Sequence, residues 1–526
     1  MTTASPPILL WLRRDLRLHD HAPLTAALAA GAPVIPVYVL DPRAFAPTGP
    51  LAIARCGPFR ARFLLESLAA LRASCRALGG DLVVRIGAAG EVIPSLAAET
   101  GATRVFAHHE VGTEEGDEER VVAQALADGA ARLRLFEGQS LVEPDDLPYP
   151  LAELPPVFTR FRTRVERDVP VRDPLPAPRR LPAVSVLPGP MPSLDELGVA
   201  APSLSPRATR RILGGEVEAL RRVQAWIWEA DRLRTYKVTR NGLLDADDAS
   251  GFSPWLALGC LSARQVHAEV QRYERTRCRN EDTHWLVVEL LWRDYFRFVA
   301  EQQGARLFAA SGPQRVPFPW RTLDAPGARE DFARWASGTT GFPLVDAAMR
   351  ELRATGFTSN RARQNVASFL ARVLGIDWRL GAAWFESWLV DYDVASNWGN
   401  WGYVAGVGQD ARGFRFFNVH KQAQDYDPEA RFVRHWLPEL ADLPPREALR
   451  PELAGATTAY PAPMVALYDA ARANERQYER VAGAPPGQDG APGRGLSAGG
   501  GPERGTSGRG VSPSRASRSG GRRGGR

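Results

Sequence analysis

Up to about residue 135, short apolar runs at 8–12, 34–40, 82–86, 104–107 and 132–136 alternate with segments of helical period such as 58–78 and 114–127. Strands that take turns with helices predict βαβ units around a parallel sheet, with ligands expected at the carboxyl ends of the strands. Residues 143–207 are rich in proline and weakly periodic, which predicts a connector, with a short helix over 157–162. Beyond residue 208 the apolar positions recur at three and four, giving helices over 216–238, 262–276, 283–303, 342–355, 361–374 and 381–389. From residue 483 the chain is Gly-, Ser- and Arg-rich and too poor in apolar residues to build a core. The expected organisation is an α/β domain over 1–142, a connector over 143–207, an all-α domain over 208–482 and a disordered tail over 483–526.

Composition narrows the class. At 44% apolar and 24% charged residues the 526-residue chain is globular, and no apolar run is long enough to span a bilayer. The N-terminus has neither a basic leader nor a signal-length apolar segment, so a cytoplasmic location is expected. Four cysteines without a CxxC pair suggest free thiols rather than zinc or disulfides. A net charge of +6, carried almost wholly by Arg, is modest support for an anionic partner. The Arg/Gly tail has the make-up of segments that follow an RNA or DNA backbone.

The chemistry concentrates in the helical half. Asp391-Tyr-Asp-Val-Ala-Ser-Asn397-Trp-Gly-Asn-Trp401-Gly-Tyr403 places carboxylates, amides, glycines and indoles where a plain core would use Leu or Ile. Glycine inside a helix costs roughly 1 kcal/mol against Ala, so Gly399 and Gly402 are expected to admit a flat ligand or another backbone. The stretch reads as the floor of a site for a planar, nitrogen-rich molecule. Upstream, Glu289, Trp292, Arg293, Phe296 and Arg297 share one helix face, with a carboxylate in an apolar setting that requires a partner. Ser359 is positioned to cap a helix carrying Asn360, Arg361, Arg363 and Gln364. Ser250-Gly-Phe252-Ser253-Pro, preceded by Tyr236 and Arg240, could hold a diphosphate. The first strand leads into Arg13-Arg-Asp-Leu-Arg-Leu-His-Asp20, a charged turn that reads as a solvated loop and lacks a Gly-rich dinucleotide fingerprint.

Taken with Trp11–Asp20, Tyr236–Leu244, Phe252–Ser262, Glu289–Phe296 and Thr355–Asn365, these motifs resemble the cryptochrome/photolyase family, and within it the cryptochrome DASH branch, over residues 8 to 470. The resemblance implies a Rossmann-like antenna domain, a helical domain holding folded FAD, and light-driven repair of cyclobutane pyrimidine dimers by a carbon–carbon lyase. It implies FAD contacts from Tyr236, Ser250, Phe252, Ser253, Arg293, Asn360, Arg363, Asp391, Asp393 and Asn397. Arg363 and Asp391 would flank the flavin, with Asn397 facing N5. Trp401, Trp378 and Trp320 would carry electrons outward. Glu289, Trp292 and Asn397 would serve the reaction, and Arg240, Asn360, Arg361, Gln364 and Tyr403 would join Glu289 and Trp292 in contacting DNA. Methenyltetrahydrofolate is the implied antenna, with Glu114 as its ligand. Tyr403 and Gln364 follow the DASH pattern, and the smaller ring at 403 suggests a preference for single-stranded or looped lesions. Ala249 and Gly251 depart from the family's usual hydroxyl and basic residues beside the phosphate loop. A monomer is expected, and a blue-light receptor or nucleic-acid-binding regulator without repair activity is the alternative function.

Overall fold

The chain is seen here in a computed structural model that describes residues 5–182, 186–409, 413–453 and 459–482; the expected disordered tail lies outside these residues. Five strands, β1 (Ile8–Leu12), β2 (Val34–Leu40), β3 (Val83–Ile86), β4 (Arg104–His108) and β5 (Arg132–Phe136), form one sheet in the order β3-β2-β1-β4-β5. Every pairing is parallel. Helices α1 (Ala22–Ala29), α2 (Pro58–Ala77), α3 (Ala89–Thr100) and α4 (Thr113–Ala127) cross between strands. β1 is buried along its whole length, as expected for a central parallel strand covered on both faces. The order of strand addition reverses between β1 and β4, so the connections leaving their carboxyl ends run to opposite sides and open a crevice there.

The turn after β1 is not a solvated loop. Asp15, Arg17 and Asp20 are all buried. Arg17 donates to the carbonyls of Asp20 and Gly259, and Asp20 pairs with Arg264 at 2.7 Å, which in turn pairs with Glu143 at 2.9 Å. The charge density of this motif therefore clamps the two domains together, where each ion keeps a partner and avoids the cost of an unpaired buried charge. The end of the α/β domain, just ahead of the connector, is fastened by Asp294, which accepts the backbone N–H groups of Leu141 and Val142. The expected short helix runs longer, as α5 (Phe158–Asp168), and packs against the long helix α6 (Glu281–Gln303).

The remaining site helices are α7 (Asn360–Ser368), α8 (Trp378–Trp388) and α9 (Val394–Ala405). A continuous helix over 216–238 does not form. Its regular part ends at Val223, a wider turn follows over Gln224–Glu229, and Asp231 adopts a left-handed conformation before two further short turns. Asp231 accepts bonds from the Tyr273 hydroxyl and from Arg277, a tertiary demand that periodicity does not report. Helix 361–374 likewise passes into a wide turn at Phe369–Val373. Cys56, Cys75, Cys260 and Cys278 are free. Among the described residues no helix is long and apolar enough to cross a membrane.

Candidate flavin and lesion site

Asp391 is the centre of the helical-domain site. Its side chain is 1% exposed, and Oδ2 accepts Nη2 of Arg363 at 2.8 Å and Oγ of Ser253 at 2.6 Å. Oδ1 is buried and has no hydrogen-bond partner. An unsatisfied carboxylate oxygen is costly in a dry setting, so the arrangement fits a ligand that supplies a donor, as the N–H edge of a flavin does. Ser253 thus spends its hydroxyl on Asp391. Tyr236 and Phe252 both meet Trp226 edge-on, at 5.4 and 5.7 Å, and the Ser250 carbonyl accepts Nε of Arg222.

α9 begins at its cap, Asp393, which accepts the N–H of Ser396 at 2.7 Å. Burial would raise the Asp393 carboxyl, but Arg293, Arg297 and Arg14 outweigh it and hold it below the usual range. Arg293 itself donates to the Gln139 carbonyl at the antenna domain, so it bridges domains in addition to facing Asp393. Asn397 is buried, and its Nδ2 donates to the Ala382 carbonyl of α8. The glycines serve close packing between elements. A Cβ at Gly399 would overlap the Phe296 ring, and Gly402 lies against the backbone of Gly408. The expected backbone approach occurs at Gly402; at Gly399 the neighbour is a core ring and not a flat ligand.

The three tryptophans are graded in burial. Trp401 and Trp378 are buried and Trp320 is half-buried. Trp378 and Trp320 donate their indole N–H groups to one carbonyl, that of Ala310, at 3.1 and 3.0 Å. Trp401 fills the space above Gly381, one turn along from Trp378.

Glu289 is not buried as its apolar surroundings suggested: its side chain is 28% exposed. Its Oε1 accepts Nη1 of Arg240 at 2.7 Å and Nε1 of Trp285 at 2.9 Å, while neither bond engages Oε2. Arg240 is therefore turned to Glu289 and stacked near Trp285. Arg361 bonds Asn241 and lies over Tyr426. Asn360 is exposed and Gln364 half-buried at the start of α7. Trp292 is half-buried and packed among rings. Phe158 of α5 lies against it at 3.7 Å and 15°, Phe296 stacks at 5.5 Å, and Tyr403 meets it edge-on at 6.1 Å. One stacking contact is already made by Phe158, and the ring stays half-buried.

Beneath Arg363, Glu351 is a buried acid that the sequence did not single out. Burial pushes it up to about 8 from 4.5, against the pull of Arg210 and Arg363. Because its folded value is the higher, the stability it contributes is complete below the unfolded value and is lost as pH rises through the folded one. Thermal denaturation should show the wild type losing more stability than Glu351→Gln between about pH 4.5 and about pH 8.

A second cavity, of about 740 Å³, lies at the carboxyl ends of the strands, lined by Trp11, Arg14, Tyr38, Glu110, Glu114 and Tyr392 among others. Glu114 reaches it but is 68% exposed and already pairs with Arg55. Glu110 is the better-placed acid: it is buried, Oε1 accepts Nε2 of Gln139 at 2.6 Å, and Oε2 has no hydrogen-bond partner. Its signal in the sequence was a Glu directly after the β4 run, at the end of a strand.

Comparison with known proteins agrees with this geometry. The model for the FAD binding domain of DNA photolyase matches residues 285–480, and that for DNA photolyase matches residues 8–179. The fold and site thus define a photolyase-type flavoprotein. A cryptochrome DASH from Gloeobacter violaceus is 52% identical over 482 residues, 90% of this chain and 95% of that protein. One from Synechocystis is 48% identical over 467 residues, 87% and 92% of the two chains. The chain belongs to the cryptochrome DASH family. Its fold matches the crystal structure of a Synechocystis cryptochrome with a TM-score of 0.86 at 45% identity, over 90% of this chain and all of that one. A class III photolyase from Agrobacterium tumefaciens matches at 0.78 and 32%, over 91% and 98%.

Proposed function

We propose that this chain is a light-driven lyase that splits cyclobutane pyrimidine dimers, acting chiefly on single-stranded or looped DNA. Tyr236, Phe252, Arg363 and Asp391 would hold FAD, which when reduced and illuminated would supply the electron for splitting the two carbon–carbon bonds of the dimer, with no net redox change. Arg363, held by Asp391, sets a fixed positive charge beside the flavin position. Asn397 stands on the helix pair that floors the same position. The observation that carries the lyase reading is the lip made by Glu289 with Arg240 and Trp285. There, Oε2 of Glu289 is left for a pyrimidine edge, while Arg240 remains close enough to oppose negative charge developing on the base. In the antenna cavity, Glu110 is the residue we assign to a folate-type chromophore, with Glu114 at the rim.

The substrate preference follows from Trp292. Extruding a dimer from a duplex costs a few kcal/mol of unstacking and unpairing, and a tryptophan already stacked against Phe158 offers less ring surface with which to offset it. The chemically reduced protein should therefore repair a thymine dimer under blue light in a single-stranded oligonucleotide and far more slowly in a duplex, with no repair in the dark. Equal repair of both would overturn the preference and keep the enzyme. No repair by FAD-loaded reduced protein would favour the receptor reading, which the graded series Trp401, Trp378 and Trp320 also suits.

A further inference from the structure

We propose that Arg210, which lies ahead of the helix Glu216–Val223, holds the diphosphate of the FAD against the Ser250–Ser253 loop. The inference rests on the flavin assignment of the helical domain and adds a residue that none of the motifs contains. A Cβ at position 251 would overlap Nη1 of Arg210. Gly251, at φ +66°, is therefore the residue that lets this guanidinium reach the loop backbone. The two neighbouring arginines are committed elsewhere. Arg222 binds the Ser250 carbonyl and pairs with Asp247 at 2.8 Å, and Arg363 pairs with Asp391.

Arg210 has no hydrogen bond or ion pair to any described residue. Its guanidinium stacks over Phe357 at 5.2 Å, and Arg363 lies at the same distance from the same ring. Phe357 thus carries both guanidiniums on its ring. The carboxylates around Arg210 do not neutralise it: Asp247 is taken by Arg222, Asp248 is pushed upward by burial, and Glu351 is pushed up to about 8. Burial outweighs these acids and holds Arg210 itself down, to about 10. A half-buried cation without an ion pair among the described residues favours an anionic ligand. The planar fork of an arginine suits the paired oxygens of a phosphate, and the anion due at this loop is the diphosphate joining the two halves of FAD.

The test is the affinity of the full-length apoprotein for FAD and for riboflavin, which lacks the phosphates, measured by flavin fluorescence. Arg210→Gln should weaken FAD binding by about tenfold or more, the loss expected of one charge-assisted hydrogen bond, and leave riboflavin binding unchanged. Arg210→Lys should fall between, and Arg211→Gln, at an exposed neighbour, should bind both as the wild type does. Wild-type FAD affinity in Arg210→Gln, or an equal loss for both flavins, would overturn the role of Arg210 alone. Failure of the wild-type apoprotein to take up FAD would instead overturn the flavin assignment beneath it.

Discussion

Arg363→Ala should yield a protein that neither retains FAD nor keeps its stability. Asp391 is 1% exposed, and its ordered partners are Arg363 and Ser253. Removing the guanidinium leaves a buried carboxylate with one hydroxyl donor, and breaking such a pair costs roughly 3–5 kcal/mol. Arg363 is itself 22% exposed, so water relieves part of that and the lower end of the range is expected. Chemical denaturation and the absorbance of bound flavin after purification measure the two effects. Arg363→Lys should recover more stability than cofactor, because a point charge satisfies Asp391 without reproducing the fork that also reaches the Thr358 carbonyl. Wild-type flavin content in Arg363→Ala would remove the pair from the cofactor site.

Glu289→Ala should lower single-turnover repair of a dimer-containing single strand by about a hundredfold, the loss typical of removing one preorganised group at developing charge. Flavin content and photoreduction should be unchanged, since Glu289 bonds Arg240 and Trp285 and no residue of the Asp391 cluster. Glu289→Gln should retain more activity, because an amide keeps an acceptor for Arg240 and Trp285 and adds a donor for a base carbonyl. An alanine variant that repairs at the wild-type rate would leave the lip without a part in the reaction.

Much of the sheet could be read from the chain because β1 and β2 are continuous apolar runs, and the structure places them at Ile8–Leu12 and Val34–Leu40 as expected. The helix over 216–238 could not, because what ends it is a left-handed Asp231 answering Tyr273 and Arg277, both more than forty residues away. The cluster of Ser253, Arg363 and Asp391 was legible as types and motifs; that one hydroxyl closes on the carboxylate was not. Burial was the least legible property. Arg17 and Asp20 read as solvent-facing and are buried, whereas Glu289 read as buried and reaches the surface. In each case a partner distant in sequence decides. Glu110 and Glu114 differ in the same way: both sit in an acidic stretch, and only the fold shows which one Arg55 has taken.

The buried clamp of Asp20, Arg264 and Glu143 has an optical consequence. Excitation passes between two pigments with an efficiency set by their separation and by the angle between their transition dipoles. Here the cavity at the strand ends and the floor around Asp391 belong to different domains, and a hinge between them would blur both quantities. A ladder of enclosed charges, each needing its neighbour, makes hinging as costly as unfolding part of the interface. The two domains are thereby held as one mount, and any pigments bound at these two places would keep a fixed separation and angle through the same ion pairs that hold the fold together.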